Sequence, residues 1–181
     1  MKLLIASDIH GSAFYCQALM EAIQKEAPDR ILLLGDLLYH GPRNDLPKGY
    51  APKEVISMLN PLKEKLLCVR GNCEAEVDQM VLSFPVLADY AWLEINGYRI
   101  FATHGHHFGE DNPPPLSTGD ILLCGHTHVP VCREHDGWFY LNPGSVSIPK
   151  ENSHHGYMTL EGDTFYWKDL DGVVMKEYRR S

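Results

Sequence analysis

The sequence predicts an α/β fold in which two mixed β-sheets pack face to face with helices outside. Three observations carry this reading. Short apolar runs alternate with helical stretches through the first part of the 181-residue chain, its later part turns to short strands joined by tight turns, and polar motifs stand where the apolar runs end. Strands separated by helices imply right-handed crossovers and parallel pairing, whereas strands joined by two-residue turns pair antiparallel.

Taken in order, residues 2–7 read as a buried strand, a brief apolar run bounded by polar residues. Residues 13–26 carry Phe14, Ala18, Ala22 and Ile23 at helical spacing, and Pro28 ends that helix because the position before a proline disfavours helical dihedrals. Residues 30–34 form the second strand. A Pro/Gly-rich loop over 41–52 leads to a short helix over 53–59, stopped by Pro61, and 65–69 form the third strand. Residues 92–95 and 98–103 flank Asn96-Gly97, a strong hairpin signal. Residues 120–124 are a further buried strand, and 129–133 and 138–141 flank the turn His135-Asp136-Gly137. Strands over 156–160, 164–170 and 173–178 follow, separated by Gly162 and by Asp171-Gly172. With no internal repeat and no linker-like segment, residues 1–181 read as one domain.

Composition narrows the function. Hydrophobic content of 44% and charged content of 22% suit a soluble globular chain. A net charge of −8 argues against polymeric nucleic acid as partner, since such binding rests on Lys and Arg neutralising phosphates. It does not exclude a small anionic substrate, because a local metal charge can outweigh the global field. The five cysteines are odd in number and form no CxxC pair, so no disulfide framework is expected. No basic-then-apolar leader and no membrane-spanning run is visible, and the expectation is a cytoplasmic protein. A homo-oligomer is left open.

The chemistry lies in five motifs, each at the end of an apolar run: Asp8-Ile9-His10, Gly35-Asp36, Gly71-Asn72, His104-Gly105-His106 and Gly125-His126-Thr127-His128. Ligand sites of open α/β sheets form at the carboxyl ends of strands, so these groups should converge on one crevice. Extended backbone in Asp8-x-His10 and His126-x-His128 would point both side chains of each pair to one face. Asp8, His10, Asp36, Asn72, His104, His126 and His128 supply oxygen and nitrogen donors that suit Mn²⁺, Fe²⁺ or Zn²⁺. They are too many for one tetrahedral ion and enough for two ions sharing a carboxylate, a pair able to generate a hydroxide and clamp a phosphoryl group. Two divalent cations against Asp8, Asp36 and a bridging hydroxide leave a positive centre. Any one of these residues alone would read as a turn cap or a surface histidine, and the ordered set is what argues for a site. His40 and His106 stand beside the motifs as supporting candidates, while His107, His135, His154 and His155 carry no signal.

The five motifs resemble those of the calcineurin-like metallophosphoesterases, D-x-H, G-D, G-N-H, H-G-H and G-H-T-H, and Asn142-Pro143-Gly144-Ser145 resembles the segment that follows them in that family. The short length, His40-Gly41-Pro42-Arg43-Asn44 and residues 142–149 look like the YfcE-type branch of bacterial phosphodiesterases. The resemblance implies a four-layer α/β/β/α sandwich. It implies one metal held by Asp8, His10, Asp36 and His128, and a second held by Asn72, His104 and His126 with Asp36 bridging. It also implies two divalent ions, with manganese as the usual activator, and a small phosphodiester substrate.

One position departs from the wider pattern: Cys73 stands where many members have histidine, as it does in the YfcE-type branch. A thiol is a weak donor and a poor substitute for imidazolium, so no strong general acid is expected there. Three alternatives remain. A protein-interaction scaffold of the same fold, like a eukaryotic sorting-complex subunit, would have no need of the complete donor set. A phosphomonoesterase would place Arg43 or Arg70 beside the metals. A nuclease would need a basic, aromatic groove, whereas Trp138, Phe139 and Tyr140 read as strand packing.

Overall fold

The computed structural model describes residues 1–180. In chain order, β1 (Leu3–Ala6), α1 (Ala13–Glu26), β2 (Arg30–Leu33), α2 (Pro52–Leu59) and β3 (Leu66–Cys68) form the alternating first part. After α3 (Glu76–Val81) come β4 (Tyr90–Ile95), β5 (Tyr98–Thr103), β6 (Ile121–Leu123), β7 (Pro130–His135) and β8 (Trp138–Pro143). The chain closes with β9 (Gly156–Glu161), β10 (Thr164–Asp169) and β11 (Val174–Arg179).

These strands build two mixed sheets, of six strands in the order β11-β10-β9-β1-β2-β3 and five in the order β4-β5-β6-β8-β7. In the first, β1, β2 and β3 are parallel, because a helix crosses over between each pair, and β9 joins β1 antiparallel. In the second, β5, β6 and β8 are parallel neighbours. Asn96 (φ 52°) and Gly97 (φ 81°) take left-handed dihedrals at both turn positions, as the expected two-residue hairpin between β4 and β5 requires.

Alternation along the strands divides the core. Leu3, Ile5, Leu32 and Leu34 face Ile100, Ala102, Ile121 and Leu123 between the sheets, while Leu4, Ala6, Ile31 and Leu33 face the helices. Trp167 is 1% exposed and donates its indole N–H to the Asn142 carbonyl at 2.7 Å, tying the first sheet to the end of β8. On the outer face of the second sheet, Phe101, Leu122 and Tyr140 are covered by Phe108 and Leu116. The fourth layer of the sandwich is thus the coil over residues 105–119 instead of a helix.

Two local expectations are revised. The helix α1 buries Ala13, Cys16, Leu19, Ala22 and Ile23, whereas Phe14 is 48% exposed beneath the Lys48 ammonium, 3.5 Å from the ring centroid. The alanines leave the apolar stripe degenerate, and packing against the sheet chooses the face. The helix α3 was not expected, since its Val77, Met80 and Val81 are all exposed and supply no buried period. Its start is set instead by the Asp78 carboxylate, which accepts from the Ala75 N–H at 2.7 Å. All five cysteines are free thiols. Among the described residues, no helix is long and apolar enough to cross a membrane.

Candidate metal centre

The loops that follow β1, β2, β3, β5 and β6 meet at one end of the two sheets, and all seven predicted donors lie there. Asp8 Oδ1 is 3.5 Å from His10 Nε2 and 3.2 Å from His128 Nε2. Asp36 Oδ2 is 3.7 Å from His10 Nε2 and 3.4 Å from His104 Nε2, so this one carboxylate faces both halves of the cluster. His104 Nε2 in turn lies 3.2 Å from Asn72 Oδ1 and 3.2 Å from His126 Nδ1.

The way these side chains converge differs from expectation. Asp8 (φ 60°), His10 (49°), Asp36 (56°), His126 (66°) and His128 (63°) all have left-handed backbone, so neither x-spaced pair is extended. Each such residue costs on the order of 1 kcal/mol in backbone energy. The reward is geometric, because a left-handed residue at a strand end folds the chain back on itself and turns consecutive donors inward. The loops approach closely enough to demand glycine: a Cβ on Gly35 would stand 2.4 Å from Gly71 N, and one on Gly71 would stand 2.2 Å from Asp36 Oδ1.

Hydrogen bonding fixes the tautomers. The Nδ1–H groups of His10, His104 and His128 donate to the carbonyls of Tyr39, Leu34 and Ile148 at 2.8, 2.6 and 2.6 Å. Each Nε2 of a neutral ring is therefore a bare lone pair aimed into the cluster. Yet His10 Nε2 and His128 Nε2 stand 3.2 Å apart with no proton to share, and Asp8 Oδ1 is buried without a hydrogen-bond partner. A divalent cation would satisfy all three, so the donor set fits a metal. Asp8, His10 and His128 form one group able to hold an ion, and Asp8, Asp36 and His104 form another.

The electrostatics agree. Burial alone would depress His104, but hydrogen bonding to Asp36 and the charge of Asp8 outweigh it and raise the imidazole to about 9, so without a cation its Nε2 holds a proton at neutral pH where the deprotonated ring would offer a lone pair. Burial likewise opposes the Asp8 charge, and the imidazoles of His10 and His128 overcome it and hold the carboxyl well below its ordinary range. The carboxylates thus draw positive charge into a closed site. His106 behaves oppositely: burial, then repulsion from His104, lowers it to about 4 and leaves a neutral ring at the edge of the cluster.

With the geometry described, residues 1–164 match the calcineurin-like phosphoesterase superfamily domain. The chain belongs to this superfamily. It is 47% identical to the phosphodiesterase YfcE of Escherichia coli strain K12 over 163 residues, 90% of this chain and 89% of that protein. The structure of YfcE, described as a phosphoesterase, superposes with a TM-score of 0.95 at 43% identity over 99% of both chains. Wild-type Vps29 of Entamoeba histolytica, complexed with zinc, shares the fold at a TM-score of 0.65 and 24% identity, covering 99% of this chain and 98% of its own.

Several residues that position this phosphoesterase site were not visible in the sequence. Glu74, 4% exposed, accepts the backbone N–H groups of Asp36 (2.9 Å), Leu37 (2.7 Å) and Gly71 (2.6 Å), joining the loops that carry Asp36 and Asn72. Nothing local marks it, because a glutamate after a turn is ordinarily solvated. Asn142 donates to the Gly125 carbonyl at 2.7 Å, and Ser145 and Ser147 hydroxyls donate to the Asp8 carbonyl at 2.9 and 3.0 Å, which shows how the Asn142-Pro143-Gly144-Ser145 segment braces two of the donor loops.

The remaining candidates separate. Arg70 donates to the Glu74 carbonyl at 3.2 Å and supports the loop, whereas Arg43 lines the pocket over the centre. His40 packs edge-on against Tyr39 and Tyr50, with its Nδ1 buried and without a hydrogen-bond partner. Cys73 lies beside His10 and Asp36, all three offering atoms within 4.8 Å of one another. Burial, then the Asp36 charge, pushes its thiol far upward, so it stands as neutral S–H.

Proposed function

We propose that the chain hydrolyses phosphodiesters at a pair of divalent cations, one held by Asp8, His10, Asp36 and His128 and the other by Asp36, Asn72, His104 and His126. The observation that carries this reading is the convergence of bare imidazole nitrogens on unpartnered, buried carboxylate oxygen, with Asp36 Oδ2 facing both halves. Manganese is the ion we assign, with zinc or iron as alternatives for such nitrogen and oxygen donors. When bound, the ions supply a hydroxide nucleophile at neutral pH and neutralise the phosphoryl oxygens.

The chain's own residues supply position and charge. Backbone carbonyls hold three imidazoles in one tautomer and aim their Nε2 atoms inward. Asp36, locked by Glu74 and by the Cys73 N–H at 2.9 Å, keeps one charge midway between the two groups. Cys73, neutral and weakly donating, leaves the departing oxygen without a strong proton donor, which favours esters of acidic alcohols. The pocket of about 410 Å³ suits a small diester. The free thiols fit a reducing, cytoplasmic setting.

The test is hydrolysis of bis-p-nitrophenyl phosphate by protein stripped with chelator and then reloaded with Mn²⁺. Turnover should vanish on stripping and return on reloading. Turnover indifferent to chelator would sink the metal mechanism, and none under either condition would favour a scaffold of the same fold.

A further inference from the structure

The inner wall of the pocket is the metal centre, and the outer wall is of different character. It is formed by Gly41, Pro42, Arg43 and Asn44 from the loop after β2, by Thr127 from the loop after β6 and by Lys150 from the connection between β8 and β9. No Phe, Tyr or Trp lines it, so it offers no platform for stacking a base or an aryl group. What it offers is two cations from segments far apart in sequence.

Both cations are presented by braced backbone. The turn carrying Arg43 is closed by the Asn44 N–H donating to the Gly41 carbonyl at 3.3 Å and by the Asn44 carboxamide donating to the His40 carbonyl at 2.9 Å. The Lys150 N–H donates to the carbonyl of the donor residue His128 at 3.1 Å, and the Ser153 hydroxyl donates to the Lys150 carbonyl at 2.6 Å. Among the described residues, neither Arg43 nor Lys150 is ion-paired with a carboxylate, although the chain carries a net charge of −8.

Charge counting makes that placement informative. Two divalent cations against Asp8, Asp36 and a hydroxide leave one positive charge, which already balances the single charge of a diester. Arg43 and Lys150 are both exposed to solvent and line one pocket with the centre, so a substrate held there meets two positive charges beyond those its scissile group needs. We propose that Arg43 and Lys150 form an anion subsite, and that the substrate is a phosphodiester bearing a second negative group, a phosphate or a carboxylate, on its non-leaving arm. This rests on the diesterase reading above and specifies its substrate class.

The test uses the Mn²⁺-loaded enzyme and p-nitrophenyl phosphodiesters sharing one leaving group, with methyl, carboxyethyl, phosphonoethyl or trimethylammonioethyl as the other arm. The anionic esters should exceed the methyl ester in kcat/KM by about tenfold, and the cationic ester should fall below it. The comparison between carboxyethyl and phosphonoethyl identifies the anion. In Arg43→Gln and Lys150→Gln the ratio of anionic to neutral ester should collapse toward one. Calorimetric titration with phosphonopropionate against methylphosphonate should show the same preference and the same loss.

Equal kcat/KM for neutral and anionic esters would overturn the subsite while leaving the diesterase intact, as would a ratio that survives both substitutions. If p-nitrophenyl phosphate surpasses every diester and collapses in Arg43→Gln, the cations serve the scissile dianion itself and the subsite is wrong. If no diester turns over, the functional reading fails on its own. The titration then decides the subsite: a phosphonopropionate preference abolished by the substitutions supports it, and no preference refutes it.

Discussion

Replacing Glu74 by glutamine should loosen the metal centre without touching any proposed donor. Oε2 accepts from the N–H groups of Asp36 and Gly71, and Oε1 accepts from that of Leu37. Hydrogen bonds to a charged acceptor contribute about 1.5–3 kcal/mol each, and a buried donor left without a partner costs about 1–3 kcal/mol. Glutamine can keep Oε2 in place, weakening two bonds to neutral strength, but it turns an NH₂ toward the Leu37 N–H. The expected loss of stability is about 2–4 kcal/mol, read from the urea midpoint at constant m-value. Because the loops moved are those of Asp36 and Asn72, Mn²⁺ affinity by calorimetry should also fall, by about 10–100-fold. Glu76→Gln, at an exposed position two residues on, should change stability by about 0.5 kcal/mol or less. If Glu74→Gln matched the native protein in both readouts, the carboxylate would be a bystander. A stability loss with unchanged Mn²⁺ affinity would refute the positioning role alone.

Three further outcomes follow from the same contacts. Glu26 pairs with Lys2, lies 2.8 Å from Lys168 Nζ and accepts from the Tyr157 hydroxyl at 2.9 Å; burial opposes its charge, but these partners lower it from 4.5 to about 2. A folded value below the unfolded one means stability fully present above the unfolded value of 4.5 and lost as pH falls toward 2. That shift is worth about 3 kcal/mol at most and about half that with solvent screening at the cluster's edge, so the gap in unfolding free energy between native and Glu26→Gln protein should close between pH 5 and 2, and a gap independent of pH would refute it. Cys73→His should speed diesters with alkyl leaving groups more than p-nitrophenyl esters, flattening the dependence of rate on leaving-group acidity; a uniform change across a leaving-group series would count against the missing-acid reading. Asp36→Asn removes the charge facing both groups and should lower Mn²⁺ stoichiometry or affinity together with turnover, by about 100-fold or more, and native activity in this variant would contradict the assignment.

Much of the architecture was legible because it is written in short-range chemistry. Hairpin β4–β5 follows from Asn96-Gly97, whose paired left-handed dihedrals few other dipeptides adopt. The bounds of α1 follow from its apolar spacing and from Pro28, which lies just beyond the left-handed cap at Ala27. The convergence of the seven candidate side chains at one end of the sheets was also legible, since carboxylate, amide and imidazole groups recurring at strand ends point to one crevice. The face that α1 buries was less legible, because a stripe diluted by alanine fits two orientations until the sheet selects one.

What the sequence by itself determined is the inventory: the strands, the turns that join them and the set of candidate ligand side chains. Only the tertiary structure decided how that inventory is aimed. The left-handed backbone at Asp8, His10, Asp36, His126 and His128 is unfavourable locally, and it persists because Glu74, Asn142, Ser145 and Ser147 hold the loops from distant parts of the chain. A conformation that opposes local preference cannot be read from local residues. It exists only where contacts between separate segments outweigh it, and here those contacts are the ones that bring the two sheets' loops to a single centre.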